Sequence, residues 1–245
     1  IIRLALPATI ENIFQTLVGF FDTLLIAQLG LVAVTAVGLA NTILNVYLAV
    51  FLAIGVGGTA LIARSLGAGQ KEKARQYARQ TQELSIAGGI VFGFISIFFG
   101  RWMLQAMGAS GSALEDAQVF FYWVGGFSLL HASMTSLGTI LRATGDTVTP
   151  MKVGIITNVT NVLLDYFLIF GFGSWDGLGI LGTALGTIFA RLLGCYLLTR
   201  EVQKSELALS FQKSRHRKDY QELVHVTIPA ALERLVMRLG QVIYF

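Results

Sequence analysis

Three polar side chains interrupt the first apolar stretch of the chain: Glu11, Gln15 and Asp22. Their separations of 4 and 7 residues put them within about 40° of one another on a helix, a single polar stripe. Asn158, Asn161 and Asp165 follow at separations of 3 and 4, again one helical face. Thr183 and Thr187 share a face of a further apolar segment. Carboxylate, amide and hydroxyl oxygens suit a hard cation. Two neighbouring carboxylates away from water suit a proton equally well. Asn and Thr also serve as hydrogen-bonding glue between membrane helices, and for them that structural reading stays open. Carboxylates are costlier glue, about 2.5–3.5 kcal/mol each on insertion scales, so Asp22 and Asp165 are the functional candidates.

The elements that carry these residues must be membrane helices. Of 245 residues, 54% are apolar and 13% charged, and the mean hydropathy is +0.68. A soluble domain carries roughly 25% charge. No charged residue occurs in the 41 positions from Thr23 to Ala63, and about 20 apolar residues cross a bilayer as a helix. Runs such as Leu48–Ile54 do not alternate in polarity, which excludes barrel strands. The pattern predicts an all-α integral membrane protein with helices near 4–28, 33–62, 83–107, 117–140, 152–172, 178–199 and 223–245. Glycine, 27 residues, suits close helix packing. The runs at Gly55–Gly58 and Gly88–Gly89 match no phosphate loop.

Fourteen of the 18 Lys and Arg residues fall at Arg3 and in the second, fourth and sixth connections. The positive-inside rule then places the N-terminus and those connections in the cytoplasm. Topology thus accounts for the basic run Lys213–Lys218, and no nucleic-acid partner is expected. The polar segment Gly69–Gln82 reads as an amphipathic cytoplasmic lead-in to the third span, lying at the interface. With that topology, Asp22, Asp165 and Thr187 lie roughly 9, 5 and 2 Å beyond the centres of their spans, all in the outer half. If their faces converge, Asp22 and Asp165 meet Asn161 and Thr187 in one oxygen cage that admits H+ or Na+.

Other polar groups point less sharply. His131 reads as a packed residue, and Arg191 fits either a carboxylate partner or a cavity wall. Tyr122, with Phe120, Phe121 and Trp123, is consistent with a site for an aromatic cation, an interfacial belt or packing. The lone Cys195 excludes an internal disulfide. The chain shows no nucleophile triad, no H-E-x-x-H and no nucleotide motif, so an enzyme is not expected.

An internal repeat sets the larger plan. Placing Pro7 on Pro229 also aligns Ala8 with Ala230, Glu11 with Glu233 and Leu17 with Leu239. The expected organisation is a six-helix lobe at 1–199, a basic cytoplasmic linker at 200–222 and, at 223–245, the first helix of a second, repeat-related lobe. A parent of about twelve helices follows, the two-bundle plan of secondary transporters. Asp22 has Tyr244 as its counterpart, which confines the carboxylate chemistry to the first lobe.

The chain resembles the multidrug and toxic compound extrusion (MATE) family, in its prokaryotic branch with a first-helix aspartate. The resemblance rests on Pro7, FFDTLLIAQLG at 20–30, GVGGTALIARSLGAGQKEKA at 55–74, LRATGDTVTPM at 141–151, NVLLDYFLIFG at 161–171 and GLGILGTALGT at 177–187. It implies an antiporter of the cytoplasmic membrane that exports organic, often cationic, compounds in exchange for H+ or Na+, with no other cofactor. It carries the cation site onto Asp22, Asn161, Asp165 and Thr187 and places Gln15 on the same cavity; Asn158, Thr183 and Tyr122 are, from their own positions, further candidates for the cavity lining. The expected partners are a small organic substrate and membrane lipid, with a monomer as the working unit. A lipid-linked oligosaccharide flippase of similar architecture and a non-transport membrane scaffold are the alternatives.

Overall fold

The structure, a computed structural model, describes residues 2–171, 176–208 and 220–244, with side chains for 9–171, 176–208 and 220–237. The described elements are helices: α1 (Ile2–Ala27), α2 (Leu31–Gly67), α3 (Lys71–Ala106), α4 (Gly111–Gly126), α5 (Ser128–Ala143), α6 (Val148–Phe170), α7 (Ile180–Lys204) and α8 (Tyr220–Tyr244). Five are long and apolar enough to cross a membrane, and the bent pair α4–α5 makes a sixth span. α8 carries Glu222, Glu233 and Arg234 and is not among them. The basic run Lys213–Lys218 lies outside the described residues.

α2 and α3 are longer than a bilayer requires. At 37 and 36 residues they run about 55 Å each, against a hydrocarbon core of ~30 Å. A turn joins them in which Gly69 adopts φ +73°. The overhang carries Arg64, Lys71, Lys73, Arg75 and Arg79 and defines the basic end of the bundle. As expected for a lead-in to the third span, the segment 69–82 continues into α3, and one of its faces packs against the bundle. Ala74, Tyr77, Ala78 and Thr81 recur at helical spacing and are buried, and Thr81 sits directly over Gly58 of α2.

Two apolar clusters hold the helices together. One, around Tyr47, Phe51, Phe120 and Phe121, ties α2 and α4 to α3 near the end opposite the basic connections. The other, around Ile62, Tyr77, Ile140, Leu141 and Leu198, lies at the basic end and takes in Leu223 of α8. The fourth span bends by 47° between α4 and α5. The bend follows Gly125 and Gly126, a pairing that favours kinks. Close approach of α3 requires Gly125, where a Cβ would come 2.6 Å from Ser96 Oγ, and Gly93 of α3, where a Cβ would come 2.6 Å from the Gly126 carbonyl oxygen.

α1 is the least embedded of the first seven helices. It docks along α6 and only lightly on α2, and leaves Ile13, Leu17, Phe20, Phe21 and Leu24 exposed.

Candidate functional site

Two contacts set the register of α1 against α6. A Cβ at Gly154 would lie 3.4 Å from the Glu11 carboxylate. Eleven residues further along both helices, Asp22 stands in electrostatic contact with Asp165. The two helices are therefore parallel, and the two contacts lie about 16 Å apart along them.

Between these contacts, α1, α2, α5, α6 and α7 surround a cleft of about 510 Å³. Its polar lining includes Gln15, His131, Asn158, Asn161, Thr187 and Arg191, and Leu48 and Leu52 of α2 supply an apolar side. Glu11 and Arg142 close it toward the basic end. Asp22 and Asp165 lie past its other end, one turn beyond Asn161.

Asp165 is 1% exposed. The Asn161 amide donates to its Oδ1 at 3.2 Å. The backbone of α7 comes so near that a Cβ at Gly186 would be 2.0 Å from that oxygen. One turn away, a Cβ at Gly182 would be 2.5 Å from the Leu168 carbonyl oxygen. The small residues of the G-x-x-G-x-A-x-x-T run thus let α6 and α7 touch and seat the carboxylate between them. Asp22 Oδ1 is buried without a hydrogen-bond partner among the described residues. No Lys or Arg pairs with either acid among those residues.

The structure therefore gathers Asp22, Asn161 and Asp165. Thr187 lines the adjoining cleft, but its hydroxyl donates to the Thr183 carbonyl of its own helix at 2.9 Å rather than to a carboxylate. Two carboxylates and an amide suit a proton or an alkali ion. Among the described residues, no three His, Cys, Asp or Glu side chains converge as a transition metal would need.

Of the cavity candidates, Gln15 and Asn158 line the cleft and two do not. Thr183 is buried at 3% exposure, one turn beyond Thr187, where Gly182 and Gly186 bring α6 and α7 together. Tyr122 is 47% exposed and meets Trp123 edge-on. Leu114, Ala117, Phe121 and Val124 form the buried stripe of α4, and Tyr122 falls outside it.

Sequence reasoning missed the partner of Glu11. Arg142, assigned to a basic connection, reaches back so that one nitrogen meets both carboxylate oxygens, at 3.0 and 2.7 Å. The Glu11 side chain is 16% exposed and that of Arg142 36%. Arg142 sits one residue from the end of α5 and Glu11 nine residues into α1, so the pairing depends on how the two helices are offset, which residue order does not carry. Arg191 takes the cavity-wall alternative. Its electrostatic neighbours are Cys195 and His131, and it forms no ion pair among the described residues. His131 packs edge-on against Phe51 while facing the cleft, and the Cys195 thiol donates to the Leu130 carbonyl.

A bundle of apolar spans around a polar cleft, with buried acids at one end, has the architecture of a membrane-transport lobe. The MatE family model matches residues 7–167, and the chain belongs to this family, known as MATE, whose members are transporters and not enzymes. It is 32% identical over 240 residues to the uncharacterized transporter YisQ of Bacillus subtilis, covering 97% of this chain and 53% of that protein. It is 31% identical over 249 residues to the probable multidrug resistance protein NorM of Thermotoga maritima, covering 100% and 53%. An outward-facing multidrug resistance MATE family transporter of the MOP superfamily superposes with a TM-score of 0.89 at 24% identity, covering 98% of this chain and 53% of that one. The chain spans about half the length of the curated relatives it matches.

Proposed function

We propose that the full-length protein is an antiporter of the cytoplasmic membrane that exports small organic compounds in exchange for H+ or Na+. In this reading, residues 1–199 form the first lobe, 200–222 a cytoplasmic linker and 223–245 the first helix of a second lobe. The N-terminus and the basic end face the cytoplasm. The observation that carries the reading is the acid pair. Asp165 is almost wholly buried beside Asp22, and no protein cation neutralises either among the described residues. Buried charge of one sign requires a partner, and a mobile cation supplies it. Because α1 has little other support, occupancy of the pair shifts how α1 rests on α6 and hence the form of the cleft. An ion moves such an equilibrium only by binding one form better than the other, and alternating access between two lobes follows from that difference.

The test is efflux of a fluorescent organic compound from vesicles holding the full-length protein, under an imposed pH gradient or an imposed sodium gradient. One gradient drives efflux in the wild type. Asp22→Asn and Asp165→Asn each reduce it to background at normal abundance in the membrane. Full efflux in the double variant overturns the proposal.

A further inference from the structure

We propose that Arg191 is a docking point for an anionic group, a carboxylate or phosphate, on the transported compound. The inference rests on reading the cleft as the substrate path, and it starts from the charges on its wall. Glu11 is the acid lining the cleft among the described residues, and Arg142 already holds both of its oxygens. Asp22 and Asp165 lie past the cleft, and neither is an electrostatic neighbour of Arg191. What remains on the wall is one guanidinium with no carboxylate partner among the described residues; its neighbours are the Cys195 thiol and the His131 imidazole, and neither is a carboxylate. Within the cleft lining itself the unbalanced charge is therefore the positive one at Arg191, which favours an anionic group there.

Position argues against the bland alternative, a long side chain snorkelling to the membrane surface. Arg191 stands eleven residues from the start of α7 and thirteen from its end, about 16–20 Å from either. It lines the cleft one turn from Thr187, with Asn158 and Asn161 on the same lining. A guanidinium presents a planar fork of donors that matches carboxylate or phosphate through two parallel hydrogen bonds. The neighbouring amides can bind further polar atoms of the compound, and Leu48 and Leu52 can cover its apolar part. A volume of about 510 Å³ lies within the range for drug-sized ligands.

The test uses three dansyl probes on the purified full-length protein in detergent, read by fluorescence: dansylglycine (anionic), dansylglycinamide (neutral) and dansylcadaverine (cationic). The wild type binds dansylglycine at least about tenfold more tightly than the amide, the worth of a charge-assisted hydrogen bond, and dansylcadaverine most weakly. Arg191→Gln removes that preference without changing amide binding, and Arg191→Lys keeps part of it. A wild type that binds the anion no better than the amide, at any strength, overturns the proposal. So does an Arg191→Gln variant that weakens both alike. The wild-type comparison decides the matter even where Arg191→Gln does not fold. If no gradient drives any probe through reconstituted wild type, the antiport reading fails, while the binding comparison still decides the role of Arg191.

Discussion

Glu11 and Asp22 stand on the same helix, eleven residues apart, and both face α6. Their surroundings differ in one respect. Glu11 is held by Arg142, so its charge is balanced within the protein and its place is permanent. Asp22 faces a second acid, Asp165, and neither has a protein cation among the described residues. A balanced acid is a fastener. In the function proposed above, an unbalanced pair receives something positive that comes and goes. On that reading, residue type and burial do not separate the two acids, whereas the presence of a counter-charge does.

That contrast can be broken experimentally. The sharpest attack is Gly186→Ala, because its Cβ would lie 2.0 Å from Asp165 Oδ1 and the carboxylate would have to leave its seat. Gradient-driven efflux should fall to background, and the unfolding midpoint of the full-length protein should drop by the equivalent of about 1–3 kcal/mol, the usual cost of overpacking. Wild-type efflux in this variant would show that the buried seat is not needed.

A second comparison sets Glu11→Gln against Asp22→Asn, each of which removes one acid from α1. Glu11→Gln should lower stability by about 1–2 kcal/mol, at the low end for a charged hydrogen bond because Arg142 is partly exposed. Adding Arg142→Gln should recover part of that loss, and measurable coupled efflux should survive in both. Asp22→Asn should do the reverse, sparing the thermal midpoint and ending efflux. Equal effects from the two acids would erase the distinction drawn above. The mildest change is Tyr122→Leu. Tyr122 lies off the cleft, so efflux kinetics should stay at wild-type values, and a raised KM would return it to the substrate path.

Much of this architecture was legible in residue order. Charge-free runs and the 3.6-residue period located the spans, because a bilayer demands apolar helices of a set length. The spacing of Asn158, Asn161 and Asp165 placed them on one face. What residue order could not convey was rotation and proximity between helices. Thr183 and Thr187 share a face, yet Thr183 is sealed where two glycines let α6 and α7 close, and Thr187 is open to the cleft. The helix at 69–82 was foreseen but its burial was not, because small residues such as Ala74 and Ala78 carry a weak hydrophobic signal while permitting close packing.

By itself, then, the sequence settled that this is a helical membrane protein, where its first six spans run and which polar residues lie within them. Those properties follow from local periodicity and the cost of exposing backbone and charge to lipid. The tertiary structure alone decided which charges meet: Glu11 with Arg142, Asp22 with Asp165, and Arg191 with no opposite charge among the described residues. Pairing over such sequence separations depends on helix register and rotation, which are set by packing contacts such as Gly154 on Glu11 and Gly186 on Asp165, and no single segment contains them.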